Sequence, residues 1–548
     1  MRSLTVRSTM LTVALTITAG CDPTGKSPSD EDGAEEPTTD TGDETIGDGT
    51  GSEDDTGSED DTSEDGLEGT IISDLGYRPQ PDGYSFENYN NDGVANLSAK
   101  QLRNLLGPDV CSDQLVTCTP EDDADGYCTD SCVLTPQART WMDKTNGYMD
   151  GGHCYGMAVS SELVFNGDID ISYYDPSAAT THDARNITEV QEFVAVWWTS
   201  QLTIDKSQTY SGSPNDVVSY LRDHFDAGDP MTLVVWGDIS GGHAVTPFAI
   251  TELDDGSQRI YVYDNNFPNA NHYVEVDPTT NSYTFSTGGW TSSSAAGKVM
   301  RVDPLYLQSE ILLDGARTYD CTFCDNGESS LSLTIDGGNE VQIERVSDGQ
   351  TVSGQGVNWD LSAVADSALK TMVRGVESHP LPHLTLPPAA YAITHAGSEP
   401  THLTFAANGL VSQVEGMVGD TAQAFISEDG HSLAYLSSGV EKVTLSVATH
   451  HDDADYSFSL DVGGGANMLA QLNVNEELKQ LEIVLKDGSP EHTMELSLER
   501  HSGDRNESIS FPTDWKAKDV TYIVRYGDWA GGSTELDVEI MSGSSAGM

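Results

Sequence analysis

Between Asp22 and Glu68 the chain carries 19 acidic residues and a single base, Lys26, set among Gly, Ser, Thr and Pro. Such a segment has too little apolar surface to offset the entropy of ordering it, so residues 22–69 are expected to form a disordered acidic linker. Its like charges repel, and a flexible coil of about 45 residues already spans about 35–40 Å root-mean-square. Folding is thereby confined to the chain from residue 70 onward.

The segment ahead of the linker has the pattern of an export signal. Arg2 and Arg7 precede a short apolar run, Met10 to Ala19, too short to span a bilayer as a mature helix. The run ends in Thr18-Ala19-Gly20-Cys21, which resembles a bacterial lipoprotein cleavage site, with Thr18 where Leu is usual. The resemblance implies a signal peptide over residues 1–21 and lipid on Cys21. The linker would then be a tether, and the lipidated N-terminus the chain's one membrane contact. The expected location is extracytoplasmic: a lipoprotein at the bacterial cell surface or in the periplasm, or a secreted protein. No later stretch is long and apolar enough for a transmembrane helix.

The linker accounts for −18 of a net charge of −63, so the remainder is strongly acidic as well. Nucleic-acid binding, which needs a positive footprint, is excluded as a function class. At about 100–200 residues per domain, 548 residues suggest two to four domains. Residues 70–305 read as a mixed α/β domain. Ser98 to Leu106 has an amphipathic pattern, Thr188 and Gln191 have capping-box spacing, and Ser213-Pro214 opens a third helix that stops at Gly228. After it come Met231–Trp236, a hairpin of Ala244–Glu252 with Arg259–Tyr263, and a second hairpin around Asp277-Pro278. Residues 306–548 read as all-β, with short alternating segments such as Leu331–Ile335 and Tyr456–Val462. That pattern predicts one β-sandwich, or two with a boundary near 425.

There are eight cysteines. With Cys21 lipidated and Cys154 kept as a thiol, six remain: Cys111, Cys118, Cys128, Cys132, Cys321 and Cys324. Three disulfides in an oxidising compartment are expected, with the pairing among the first four left open and Cys321-x-x-Cys324 as a local staple.

Three segments carry chemistry. In Met149-Asp-Gly-Gly-His-Cys154 glycines lead a cysteine into an apolar helical face, where the helix dipole and unpaired N–H groups favour a thiolate. In Gly241-Gly-His243 a glycine turn starts a strand, and in Ile260-Tyr-Val-Tyr-Asp264 a carboxylate ends the next strand of the same hairpin. A thiolate, an imidazole and an orienting carboxylate are the parts of nucleophilic acyl transfer. This order resembles the papain-like cysteine peptidase superfamily, most closely the bacterial bacteriocin-processing type, over roughly residues 135–295. The resemblance implies an α+β fold: a papain-like catalytic domain, a helical part plus an antiparallel sheet, followed by the sandwich-like β region.

It also implies Cys154 as nucleophile, His243 as base and Asp264 as its orienting residue. The family's Gln ahead of the cysteine is missing, leaving Asn146, ahead of Gln137, to donate to the oxyanion. No cofactor and no metal are called for, and the substrate would be a protein or peptide. Transglutaminase-like or amidase acyl transfer at the same residues, and a non-enzymatic surface-binding lipoprotein with a degenerate catalytic domain, are the alternatives. His153 reads as structural or substrate-proximal, Trp197 and Trp198 as core packing, and His450-His451-Asp452-Asp453 as a solvated turn, since consecutive residues do not converge easily on one ion.

Overall fold

The computed structural model describes residues 66–112, 132–236, 242–287, 291–292 and 300–305, positions 321, 323 and 324, and, with short breaks, 330–542. The expected signal sequence, nearly all of the acidic linker, and Cys21, Cys118 and Cys128 lie outside the described residues. Strands hold 46% and helices 21% of what is described. The expectation of an α+β chain led by a papain-like catalytic domain is thereby corrected: the chain is mostly β, with three large antiparallel sheets and few helices. The physical reason lies in pairing between distant segments: Thr70–Asp74 and Met300–Pro304 add to the expected strands Gly242–Glu252 and Met231–Trp236, and no local pattern encodes such pairing.

The first sheet contains β1 (Thr70–Asp74), β2 (Tyr210–Gly212), β3 (Met231–Trp236), β4 (Gly242–Glu252), β5 (Gln258–Tyr263), β6 (His272–Asp277), β7 (Ser282–Phe285), β8 (Thr291–Ser292) and β9 (Met300–Pro304). Its order is β2-β9-β3-β4-β5-β6-β7-β8, with β1 also paired to β4. The expected β4–β5 and β6–β7 hairpins are both present.

Five helices of eight or more residues are found among the described residues: α1 (Ala99–Leu106), α2 (Pro136–Tyr148), α3 (Cys154–Phe165), α4 (Thr188–Ser200) and α5 (Pro214–Phe225). Helices cover both faces of the sheet. Val234 and Ala244 point into the core shared with α3 and α4, while Val235 and Val245 point into the core shared with α5. Every residue of α3 from Cys154 to Leu163 is buried. Gly156 permits the close crossing of α3 and α4, since a Cβ there would lie 2.2 Å from the Val194 carbonyl oxygen. The capping box expected at Thr188 is not formed. Ile187 takes the cap position, and Gln191 instead accepts from the Ala95 N–H and donates to Asn186.

From β10 (Leu331–Asp336) to Val538–Ser542, two antiparallel sheets of nine and ten strands enclose one hydrophobic core, continuous through residue 425. Successive hairpins alternate between the sheets: 401–417, 442–463 and 493–511 in one, 423–436, 469–486 and 520–542 in the other. Here the period of two is plain, as in Thr401–Ala407, where buried and half-exposed side chains alternate. This half of the chain is the expected β-sandwich.

Helix α2 rests on the sandwich. Arg139 pairs with Asp455 at 3.3 Å, Trp141 packs on Phe323 with ring centroids 5.4 Å apart, and the Tyr148 hydroxyl donates to Asp336 at 2.6 Å. Disulfides Cys111–Cys132 and Cys321–Cys324 flank this junction. No helix among the described residues is long and apolar enough to cross a membrane.

Candidate active site

Cys154 is the first residue of α3. The turn that delivers it depends on Gly152, whose φ of 120° lies in the region that glycine alone adopts readily. The Trp198 indole N–H donates to the Gly152 carbonyl at 3.1 Å and holds this turn against α4. The adjacent His153 is fully buried. Its backbone N–H donates to Asn88 Oδ1 at 2.7 Å, and its ring nitrogens contact the Tyr89 carbonyl at 2.8 Å and Asn96 Oδ1 at 2.9 Å. Burial pushes the His153 imidazole down to about 4. It is therefore neutral near pH 7 and acts as a clamp between the loop 88–96 and the start of α3.

His243 lies near the start of β4, and Asp264 immediately follows β5. His243 Nε2 is 2.7 Å from Asp264 Oδ1, with His243 1% and Asp264 0% exposed. An imidazole that donates from Nε2 to a carboxylate presents Nδ1 as its acceptor in the neutral form. Burial alone would raise the Asp264 carboxyl, but the neighbouring His243, the Thr287 hydroxyl at 2.7 Å and the Asn266 N–H at 2.9 Å outweigh it. The Asp264 carboxyl is held below its usual range. The Ala244 N–H lies 3.4 Å from Cys154 Sγ, which seats the sulfur on β4 one residue beyond His243. The fold thus brings Cys154, His243 and Asp264 together. Such a grouping can supply a nucleophile, a proton acceptor and an orienting anion.

The Cys154 sulfur is disulfide-bonded. The thiol expected at this position is therefore not the state found. Asn146, expected to donate to an oxyanion, ties its amide to the backbone of Leu97: Nδ2 donates to the carbonyl at 3.0 Å and Oδ1 accepts the N–H at 3.1 Å. Gln137 is buried in the first turn of α2, beside Phe323 and β10 residues Ser332 and Thr334. Trp197 and Trp198 belong to the α3–α4 core. His450 faces Asp455 and His451 faces the Tyr526 hydroxyl, while Asp452 and Asp453 lie outside the described residues. No cluster able to hold a metal ion occurs among the described residues.

Several contributors have no sequence motif. Asn265 Nδ2 donates both to the Cys154 carbonyl and to the Ala244 carbonyl, each at 3.0 Å. Asn88 accepts from the His153 N–H, donates to Asn266 and takes the Asn265 carbonyl on its own N–H. Thr287 lies 23 residues beyond the carboxylate it serves. The one available signal was the Asp264-Asn265-Asn266 run, which reads as a turn. In the fold each of the three holds a different part of the site. A cavity of about 640 Å³ between α2 and the sandwich, lined by Asp143, Asp150, Asp336, Glu415 and Glu499 among others, does not include these residues.

Comparison with known families, with curated proteins and with solved structures found no match.

Proposed function

We propose that this protein is an exported cysteine hydrolase that cleaves amide bonds of a protein or peptide substrate and is held latent by the disulfide at Cys154. The reading is carried by one observation. Buried His243, 2.7 Å from Asp264, sits on the strand that contacts the Cys154 sulfur at the start of a buried helix. Export is supported by the apolar run ending at Cys21 and by the two described disulfides, which persist in oxidising compartments.

A dithiol reductant exchanges with the Cys154 disulfide, leaving two protein thiols and an oxidised reductant. The Cys154 thiol passes its proton to His243 Nδ1, and the thiolate attacks the substrate carbonyl. Asp264 holds the ring and stabilises the imidazolium that forms. The imidazolium then protonates the leaving amine as the C–N bond breaks, leaving a thioester on Cys154. Water, deprotonated by His243, attacks the thioester and releases the acid and the thiol. The Cys154 N–H at the helix start is the oxyanion donor supplied by the backbone. Lipidation of Cys21, with the acidic linker as tether, belongs to the same proposal.

Hydrolysis of a fluorogenic peptide library, with and without dithiothreitol, tests the reading. Turnover should require the reductant and vanish in Cys154→Ala. Turnover that survives Cys154→Ala, or its absence across the library in reduced protein, counts against it. The disulfide itself favours a second reading, an exported binding protein in which Cys154 is a structural cystine. That reading predicts that reduction lowers the melting temperature and unmasks no thiol of unusual reactivity.

A further inference from the structure

We infer that Asn265 is a positioning residue that sets the distance between the Cys154 sulfur and the His243 ring; this rests on the cysteine-hydrolase reading above. The nucleophile and the base lie on different elements, α3 and β4, 89 positions apart in the chain. Apolar contacts are non-directional and set the spacing between the two elements less sharply than hydrogen bonds do. Asn265 supplies two such bonds at this point. Its Nδ2 donates to the carbonyl of the residue bearing the sulfur and to the carbonyl of the residue after the base, both at 3.0 Å.

Asn265 is fully buried, so both hydrogen bonds form away from water, where directional polar contacts are strongest. Its Oδ1 makes no hydrogen bond among the described residues, so the side chain's one polar task here is this double donation. Its backbone is anchored as well. The Asn265 carbonyl accepts from the Asn88 N–H at 2.8 Å, and the preceding Asp264 is held by His243 and Thr287. One turn therefore fixes the carboxylate against the imidazole and, through the next side chain, the helix start against the same strand. No contact of Asn265 with substrate is implied; it acts through the two carbonyls.

The pH dependence of Cys154 alkylation tests this without knowledge of the substrate. Full-length protein is reduced with dithiothreitol, treated with iodoacetamide from pH 4 to 10, and the Cys154 peptide is quantified by mass spectrometry. A thiol paired with His243 should react with an apparent pKa well below the ordinary value of about 8.5. Asn265→Leu, close in size, removes the donor. Asn265→Ser, smaller and free of overlap, cannot reach both carbonyls. Each should move the midpoint up by about one unit, roughly a tenfold loss of rate on the acid limb. Leu460→Ala, in the sandwich core away from the site, should lower stability and leave the midpoint in place.

An ordinary thiol profile in the wild-type protein defeats the hydrolase reading itself. A low wild-type midpoint retained in either folded Asn265 variant, or lost equally in Leu460→Ala, defeats the positioning role alone. Failure of both Asn265 variants to melt cooperatively makes Asn265 a core-structure residue and defeats that role as well.

Discussion

The Tyr148 hydroxyl donates to Asp336 Oδ2 at 2.6 Å, joining the last residue of α2 to the first strand of the sandwich. Six residues later the chain reaches Cys154, so the sandwich buttresses the segment that presents the candidate nucleophile. Tyr148→Phe keeps the ring and removes the donor to a buried carboxylate. A hydrogen bond to a charged group contributes about 1.5–3 kcal/mol, and a loss of that order is expected in urea unfolding of the variant. Unchanged stability would show that the two parts do not rely on this contact.

Glu162, fully buried in α3, receives the Thr232 hydroxyl at 3.0 and 3.2 Å on its two oxygens. Burial raises its carboxyl well above the usual range. The folded state thus keeps a proton that the unfolded chain releases above about pH 4.3. Stability from this group is complete below that pH and falls as pH rises toward the folded pKa. Glu162→Gln removes the dependence. The variant should melt higher than wild type at pH 8, by about 2–4 °C for each kcal/mol regained, with the gap closing near pH 4. Scanning calorimetry at the two pH values decides it, and a gap that widens toward acid would refute the assignment.

The Thr287 hydroxyl helps to keep Asp264 ionised. A carboxyl with a depressed folded pKa contributes stability above its unfolded value and loses it as pH falls through the folded pKa. Thr287→Val raises that folded pKa, so the acid-unfolding midpoint, followed by circular dichroism, should move to higher pH. A midpoint that stays put would mean that His243 and the Asn266 N–H suffice.

Gly156→Ala would place a Cβ 2.2 Å from the Val194 carbonyl oxygen and 2.9 Å from the Trp198 nitrogen. Both are backbone atoms and cannot rotate away, so α3 and α4 must separate. Overpacking of this kind costs about 1–3 kcal/mol, occasionally more. The substitution should lower the denaturant midpoint although Ala is the better helix former. A neutral or stabilising result would show that the crossing has slack.

The sequence by itself determined the elements whose signals are local. The Ser213-Pro214 helix start, the hairpin around Gly256, and the alternating strands of the sandwich appear where their residues place them. Order along the chain also picked out Cys154, His243 and Asp264 as residues to bring together. The sheet-dominated architecture was hidden, because β1 and β9 join the expected strands β4 and β3 only through pairing between distant segments. The hairpin alternation of the sandwich was hidden too, since it repeats in space without repeating in sequence. Tertiary structure alone decided the supports of the site: Asn265 bridging two carbonyls, Thr287 on Asp264, and Asn146 turned to Leu97 instead of the site. It also put the Cys154 sulfur into a disulfide. The hydrogen bonds join groups far apart in the chain. Their partners are set by which surfaces pack together, and no local pattern of residues encodes that.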